Sequence, residues 1–355
     1  MPPSRTRGAS RSWLTGSVLI ALALVALATP LSPTLVESRY SSGAYVRLQQ
    51  ALTPASNIVP FALLDVTATM AILLWLARLT RAMRASRRWP AFGRVTFDFV
   101  AFTAALYLVF LALWGLNYRR VPLDRKLDFD PSRITREAAL AAGGEAVRLV
   151  NSHYDEAHAA AQSGPDLPEA FASAQRALGA RLLARPGVPK RSLLGLYFRW
   201  AAIDGMTDPY FLEVIVNPDV LPIERPFVVA HEWGHLAGYA DESEANFVAW
   251  LTCARGNALA RYSGWLAMYA HLSNALPRED RRTLADGLRA GPREDLQAIN
   301  ARLLRSAPIV RRAARDVYDS YLKANRVEKG IESYDAVVRL VLGSIFDETW
   351  APRLR

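Results

Sequence analysis

The chain has 355 residues, a mean hydropathy of +0.06 and a formal net charge of +10, which allows one sizeable domain plus membrane segments. Much of the excess charge is Arg clustered beside N-terminal apolar stretches, which fits a membrane surface. No nucleic-acid-binding motif accompanies it, and the single cysteine, Cys253, excludes an internal disulfide and any cysteine-based metal cluster.

Three apolar stretches come first: Trp13 to Thr29, Ile58 to Ala77 and Val95 to Leu116. Each is near the ~17–25 residues that cross a bilayer as a helix. Asp65 and Asp98 interrupt the second and third near their ends, where a charge can reach the interface or face a protein partner. Arg5, Arg7 and Arg11 precede the first stretch. Arg78, Arg81, Arg84, Arg87, Arg88 and Arg94 separate the second from the third. The positive-inside rule puts both basic segments in the cytoplasm, so the outer loop over 31–57 and everything after Asn117 are expected outside. Ala26-Leu27-Ala28 has the form of a signal-peptidase site, and cleavage there would leave the side of the remaining chain unchanged. The expected division is a membrane region over 1–128 and an extracytoplasmic domain over 129–355.

From Phe129 onward the chain reads as mostly helical. Ser132 to Ala161 is Ala-rich with apolar residues at helical spacing; His153 and His158, five apart, do not share a face and read as surface residues. Pro165, Pro168, Pro186 and Pro189 mark turns around a helix over Phe171 to Leu183. Tyr210 to Asn217 (YFLEVIVN) is apolar, β-branched and ended by Asn-Pro, which predicts a strand.

The run HEWGHLAGYADESEANF begins at His231. On a helix, residues four apart share a face, so His231 and His235 can aim their imidazoles at one ion. Glu232 can reach a water on that ion and take its proton, and zinc acidifies such a water enough for a carboxylate to serve as base. The apolar segment Pro226 to Ala230 buries the start of this helix, and Gly238 stands where a helix C-cap belongs. A catalytic zinc takes three protein ligands and keeps one open position. Asp241, Glu242 and Glu244 compete for the third. Phe247, Trp250, Leu251 and Ala254 recur at helical spacing, so a second helix starts near Glu242. Asp241 then reads as its N-cap and Glu244, three residues on, as the other half of a capping box. Cys253, on the apolar face of that helix, reads as a small buried hydrophobe. Beyond Arg261 the helices resume, broken at Pro277, Gly291-Pro292 and Pro308.

Three resemblances add to this reading. His-Glu-x-x-His-x-x-Gly-x-x-Asp, ending on Asp241, resembles a metzincin with Asp for the last His. Glu242-x-x-Ala245-Asn246 resembles the Glu-x-x-Ala-Asp of gluzincin membrane proteases such as the CAAX prenyl protease group. The second implies Glu242 as the zinc ligand and Asn246 as its brace. Asn replaces Asp here and the gap between the helices is short, so Glu244 stays an alternative. Zincins also place a sheet edge strand beside the zinc helix, which would give the Tyr210 segment a substrate-binding role. The whole chain is similar to a bacterial family of polytopic membrane proteins with a domain of unknown function. The similarity rests on VESRYSS from Val36, IVPFALLD from Ile58, the HEWGHLAGYADESEANF core, ALARYSGWL from Ala258 and YDSYLKANRVEKGIESYDAVVRLVLG from Tyr318. It implies a membrane-anchored zinc-dependent peptidase. In gluzincins a Tyr or His often steadies the oxyanion; Tyr318, Tyr321, Lys323, Asn325, Tyr334 and His271 are the available groups, but helix packing and capping is the better account of any single one, and none is assigned to the site.

The expected fold is therefore a mainly α membrane protein. Three N-terminal transmembrane helices precede a mostly helical, zincin-like α+β domain with a small sheet. The expected function is zinc-dependent hydrolysis of peptide bonds, with His231, His235 and Glu242 as metal ligands and Glu232 as general base. Its location is a bacterial cytoplasmic membrane, with the catalytic domain outside. Its partners are the lipid bilayer and a peptide or protein substrate close to it. The alternative is a non-catalytic sensor or scaffold that keeps the metal for folding. A structural zinc usually has four protein ligands, and an intact Glu232 has no purpose there.

Overall fold

The computed structural model describes residues 5–160, 166–325 and 336–355; Tyr334 lies outside them. The first half runs α1 (Arg5–Ala28), α2 (Pro33–Leu35), a π-helical segment (Val36–Ala44), α3 (Tyr45–Asn57), α4 (Leu63–Met83) and α5 (Arg88–Leu113). The second half runs α6 (Arg136–Ala160), α7 (Leu167–Ala177), β1 (Pro189–Lys190), α8 (Gly195–Ala201), β2 (Gly205–Asp208) and β3 (Glu213–Val216). It continues with α9 (Arg225–Leu236), α10 (Glu242–Ala254), α11 (Ala258–Ala275), α12 (Arg278–Asp286), α13 (Ala290–Leu304), α14 (Pro308–Ala324) and α15 (Ala336–Gly343).

Among the described residues two helices, α4 and α5, are long and apolar enough to cross a membrane. A third crossing exists only if Trp13–Ala28 and Pro33–Asn57, bent 111° apart, form one broken span. The expectation of three clear spans is thus corrected. Pro30 and Pro33 stop α1, because proline cannot donate a helical hydrogen bond and restricts the residue before it. The second span starts at Leu63 rather than Ile58, just past Pro60, and runs on to Met83. The third starts earlier, at Arg88, and ends at Leu113, where Trp114 leaves helical geometry at φ −153°. Arg78 of α4 pairs with Asp98 of α5, so the aspartate that interrupts the third span is held between the two helices.

The segment expected as an outer loop is helical and belongs to the core. Tyr45, Gln49 and Thr53, spaced four apart on α3, are fully buried. Gln49 takes the Arg185 N–H at 2.8 Å and donates to the Arg185 carbonyl at 2.7 Å. Thr53 donates to the Leu212 carbonyl, and Tyr45 to the Leu236 carbonyl. An apolar stripe did not mark this face. Its buried positions are largely polar, and they satisfy the backbone of irregular segments that could not otherwise be buried.

The sheet has the order β1-β3-β2, with β1 parallel and β2 antiparallel to β3. The predicted strand exists as β3, shortened to four residues and buried throughout. It is the central strand, not the edge. The edge beside α9 is β2, which the sequence did not announce because Gly205-Met206-Thr207-Asp208 has no strand pattern.

Helix α10 is the centre of the domain. Every residue from Glu242 to Cys253 is buried, and a helix surrounded on all sides must be enclosed by other elements. Trp250, with no exposed surface, meets Trp265, Phe346 and Trp350 edge-on at 5.4–5.5 Å between ring centroids. Cys253 is buried as expected. Helix α7 departs from its expected bounds: Pro168 lies in its first turn, a position that suits proline, and the chain turns at Gly179 with φ +77°.

Candidate metal centre

Helix α9 ends in a Schellman motif. Tyr239 N–H donates to the Gly234 carbonyl at 3.1 Å, and Gly238 N–H to the His235 carbonyl at 2.9 Å, with Gly238 at φ +82°. A side chain other than hydrogen would be strained there. Asp241 then caps α10, accepting from the Ser243 and Glu244 amides. Five residues, 237–241, therefore suffice to turn the chain back, and α10 packs along α9. Gly234 permits the close approach, since a Cβ there would stand 3.1 Å from the Ala245 carbonyl oxygen.

That return brings Glu242 onto the two histidines. His231 and His235 face each other with their Nε2 atoms 3.1 Å apart. Glu242 Oε2 is 3.2 Å from His231 Nε2 and its Oε1 is 3.7 Å from His235 Nε2. One donor atom from each of the three lies within 4.8 Å of the others. Both rings are oriented from behind. His235 Nδ1 donates to the Tyr239 carbonyl at 2.8 Å, and His231 Nδ1 meets Asn246 Oδ1 at 2.8 Å. A carbonyl or amide oxygen accepts only, so each Nδ1 carries the proton and each Nε2 offers its lone pair to the centre. Ligands ~2.1 Å from a tetrahedral ion sit ~3.4 Å apart, so the spacing fits a cation.

The other two carboxylates are employed elsewhere. Asp241 is the helix cap. Glu244 does not complete the capping box; its Oε1 accepts from Leu123 N–H at 2.5 Å, on the far side of α10 from the histidines. Arg120 lies close enough to interact with it and binds Glu37, Lys126 joining the same Glu37.

Charge and burial set the protonation. Burial works against ionised Glu242, yet His235 and His231 hold it well below the usual carboxylate range. Burial works against charged His235 too, and Glu242 nevertheless lifts it to about 9. A bound cation would take the place of the proton that Glu242 holds on His235. Burial raises Glu232, with the nearby histidines pulling the other way. Glu232 lies between α9 and β2, and Thr207 donates to its Oε2 at 2.8 Å. Burial also pushes the Glu244 carboxyl from 4.5 to about 7 against the pull of Arg120. The unfolded chain therefore releases this proton before the folded one does, and its share of stability falls as pH rises from 4.5 to about 7. Glu244→Gln is expected to flatten that interval of a Tm-versus-pH curve relative to wild type.

Two further groups meet the site, and of these only Trp114 went unnamed in the sequence reading. The Tyr318 hydroxyl, on α14, donates to Glu242 Oε1. Trp114, the residue after candidate membrane span α5, donates its indole N–H to the His235 carbonyl at 3.0 Å. Tyr321 packs edge-on to Tyr118 and Phe110, behind Tyr318. Tyr318 had been one of six equivalent groups; only the fold separates them. His271 lies beside Phe227 instead. His158, expected as a plain surface residue, pairs with Asp295 at 2.9 Å, which also accepts from Tyr262.

Fold and site together describe a mostly helical protein with two or three candidate membrane spans, a small three-stranded sheet and a His/His/Glu cluster next to the end of one of those candidate spans. The chain belongs to the family described as "Protein of unknown function (DUF3810)", which matches residues 40–342. No curated protein and no solved structure matches it.

Proposed function

We propose that this protein is a membrane-anchored, zinc-dependent peptidase. The observation that carries the reading is the convergence of His231 Nε2, His235 Nε2 and the Glu242 carboxylate, with both imidazoles oriented from behind. Two imidazoles and one carboxylate suit zinc and leave room for a fourth, exchangeable position. Zinc bound there would supply a Lewis acid and an acidified water. Glu232 is the base: it is buried beside the histidines, is held by Thr207, and can take a proton from that water and return it to the leaving amine. Tyr318 holds the Glu242 carboxylate and presents a hydroxyl at the edge of the cluster. The outer edge of β2 is where an extended peptide can add by main-chain hydrogen bonds. The Arg-rich turn between α4 and α5 is cytoplasmic on this reading, which puts the site on the outer face of a bacterial inner membrane. The substrates are then peptide segments held near the bilayer.

The test is elemental analysis of the detergent-purified chain, wild type beside Glu242→Ala and Glu244→Gln. One zinc per chain is expected in wild type and Glu244→Gln and none in Glu242→Ala. The loss in Glu242→Ala should exceed the ~10–100-fold fall in affinity typical of removing an outer partner such as Asn246. Absence of metal from wild type after zinc is supplied overturns the proposal and favours a scaffold. Gly205 provides a separate check on the base. A Cβ there would stand 2.6 Å from Glu232 Oε1 and 3.0 Å from its Cγ. Gly205→Ala is expected to keep zinc and lower turnover by up to ~10²-fold, the scale of a ~1 Å misplacement.

A further inference from the structure

We propose that α8 and the turn before it form a second membrane contact, inserted into the headgroup region of the leaflet that holds the Leu63 end of α4. The inference rests on where the segment is tied. Asp65 is the third residue of α4, ~3 Å along the axis from its start at 1.5 Å per residue. Its two oxygens accept from Ser192 Oγ at 2.6 Å and from Leu193 N–H at 2.8 Å. The turn thus reaches down to the first turn of a membrane-crossing helix. A carboxylate within that apolar run has both oxygens satisfied by this segment, which explains why the run tolerates it. Helix α8 is fixed at the same level by its buried side, Phe198 and Ala201: Phe198 packs in a small cluster with Ala62, the residue before α4, and Ile215 of β3.

With Phe198 used for anchoring, the rest of the segment turns large apolar groups outward. Leu193 is 79% exposed, Leu196 51% and Trp200 45%, and Tyr197 is exposed beside them. Ile58 and Phe61, on the approach to α4, are exposed as well. An apolar surface of this kind marks an interaction site. Its occupant is lipid, because it is continuous with the exposed face of α4 that carries Val66, Met70 and Leu73, and because Trp and Tyr favour the membrane interface. It is a short interfacial element tied to a spanning helix. It stands on packing alone and does not require the metal reading.

The experiment places an environment-sensitive fluorophore on Leu193→Cys and, separately, Leu196→Cys of the full chain in phosphatidylcholine/phosphatidylglycerol nanodiscs. Cys253 is fully buried and does not compete for label. Glu169→Cys on α7, where the side chain is 77% exposed, is the control. Positions 193 and 196 are expected to emit at shorter wavelength than 169 and to lose most of their emission when the lipids carry a nitroxide near the headgroup. Emission and quenching equal to position 169 would overturn the proposal. So would a blue shift that ignores the nitroxide but grows with the number of chains per disc, which would assign the surface to a second copy.

Discussion

Glu232→Gln is expected to retain zinc at the wild-type level and to lower peptide hydrolysis ~10²–10⁴-fold, the usual contribution of a positioned general base. The substitution is isosteric. An amide oxygen can still accept from Thr207, which donates to Oε2 at 2.8 Å in the native protein, so the packing between α9 and β2 is preserved. What disappears is the ability to take a proton. Metal content and turnover measured on one preparation separate the two effects: a variant that keeps zinc and loses turnover assigns the proton transfer to Glu232. Unchanged turnover would remove Glu232 from the mechanism. The scaffold alternative expects no functional change here, and unfolding in His235→Ala. Because burial already raises the Glu232 carboxyl, its basicity is matched to neutral pH better than that of a solvated glutamate.

Lys190→Met is expected to lower the unfolding free energy by ~3–5 kcal/mol, the cost of leaving one member of a buried ion pair alone. Lys190 Nζ meets Glu213 Oε2 at 2.7 Å, with the two side chains 2% and 0% exposed. Lys190 also donates to the Ser56 carbonyl at 2.8 Å. Glu213 accepts the Leu63 and Leu64 amides at 3.1 and 3.0 Å, and so caps the N-terminus of α4. The Lys190–Glu213 pair therefore joins β1, β3, the end of α3 and the start of α4. Without Lys190 the remaining charge has only the two amides and the helix dipole, worth ~2 kcal/mol at most. Chemical denaturation in detergent measures the effect. A Lys190→Met/Glu213→Leu double variant should recover part of the loss, since it leaves no buried charge. A single variant as stable as wild type would show that the pair contributes nothing.

Much of the site could be read from the chain because its logic is local. His231 and His235 share a helix face through their spacing, Gly238 ends that helix and Asp241 begins the next, so the hairpin of α9 and α10 follows from four positions. The choice between Glu242 and Glu244 was not local. Both stand in the first turn of α10, two residues apart and so on different faces. Which face meets α9 depends on the tight crossing at Gly234, and which meets Leu123 depends on the chain after α5. The same holds for Tyr318, which reaches Glu242 only because α14 is brought across 76 residues.

The membrane half divides similarly. Apolar length and flanking Arg were enough to find α4 and α5, since a bilayer selects on composition alone. They were not enough to separate a third span from a helix bent by prolines, nor to show that α3 belongs to the core. A polar face such as that of Gln49 and Thr53 looks solvent-exposed until the backbone that it satisfies is in place. By itself, then, the sequence determined the helical hairpin bearing two histidines, the apolar helices and the family, all of which depend on neighbours along the chain. The tertiary structure alone decided which carboxylate joins the histidines, which strand is the edge, what Asp65 and Glu213 bind, and where α8 lies. Each of those depends on groups far apart in sequence whose meeting is set by the packing of whole elements.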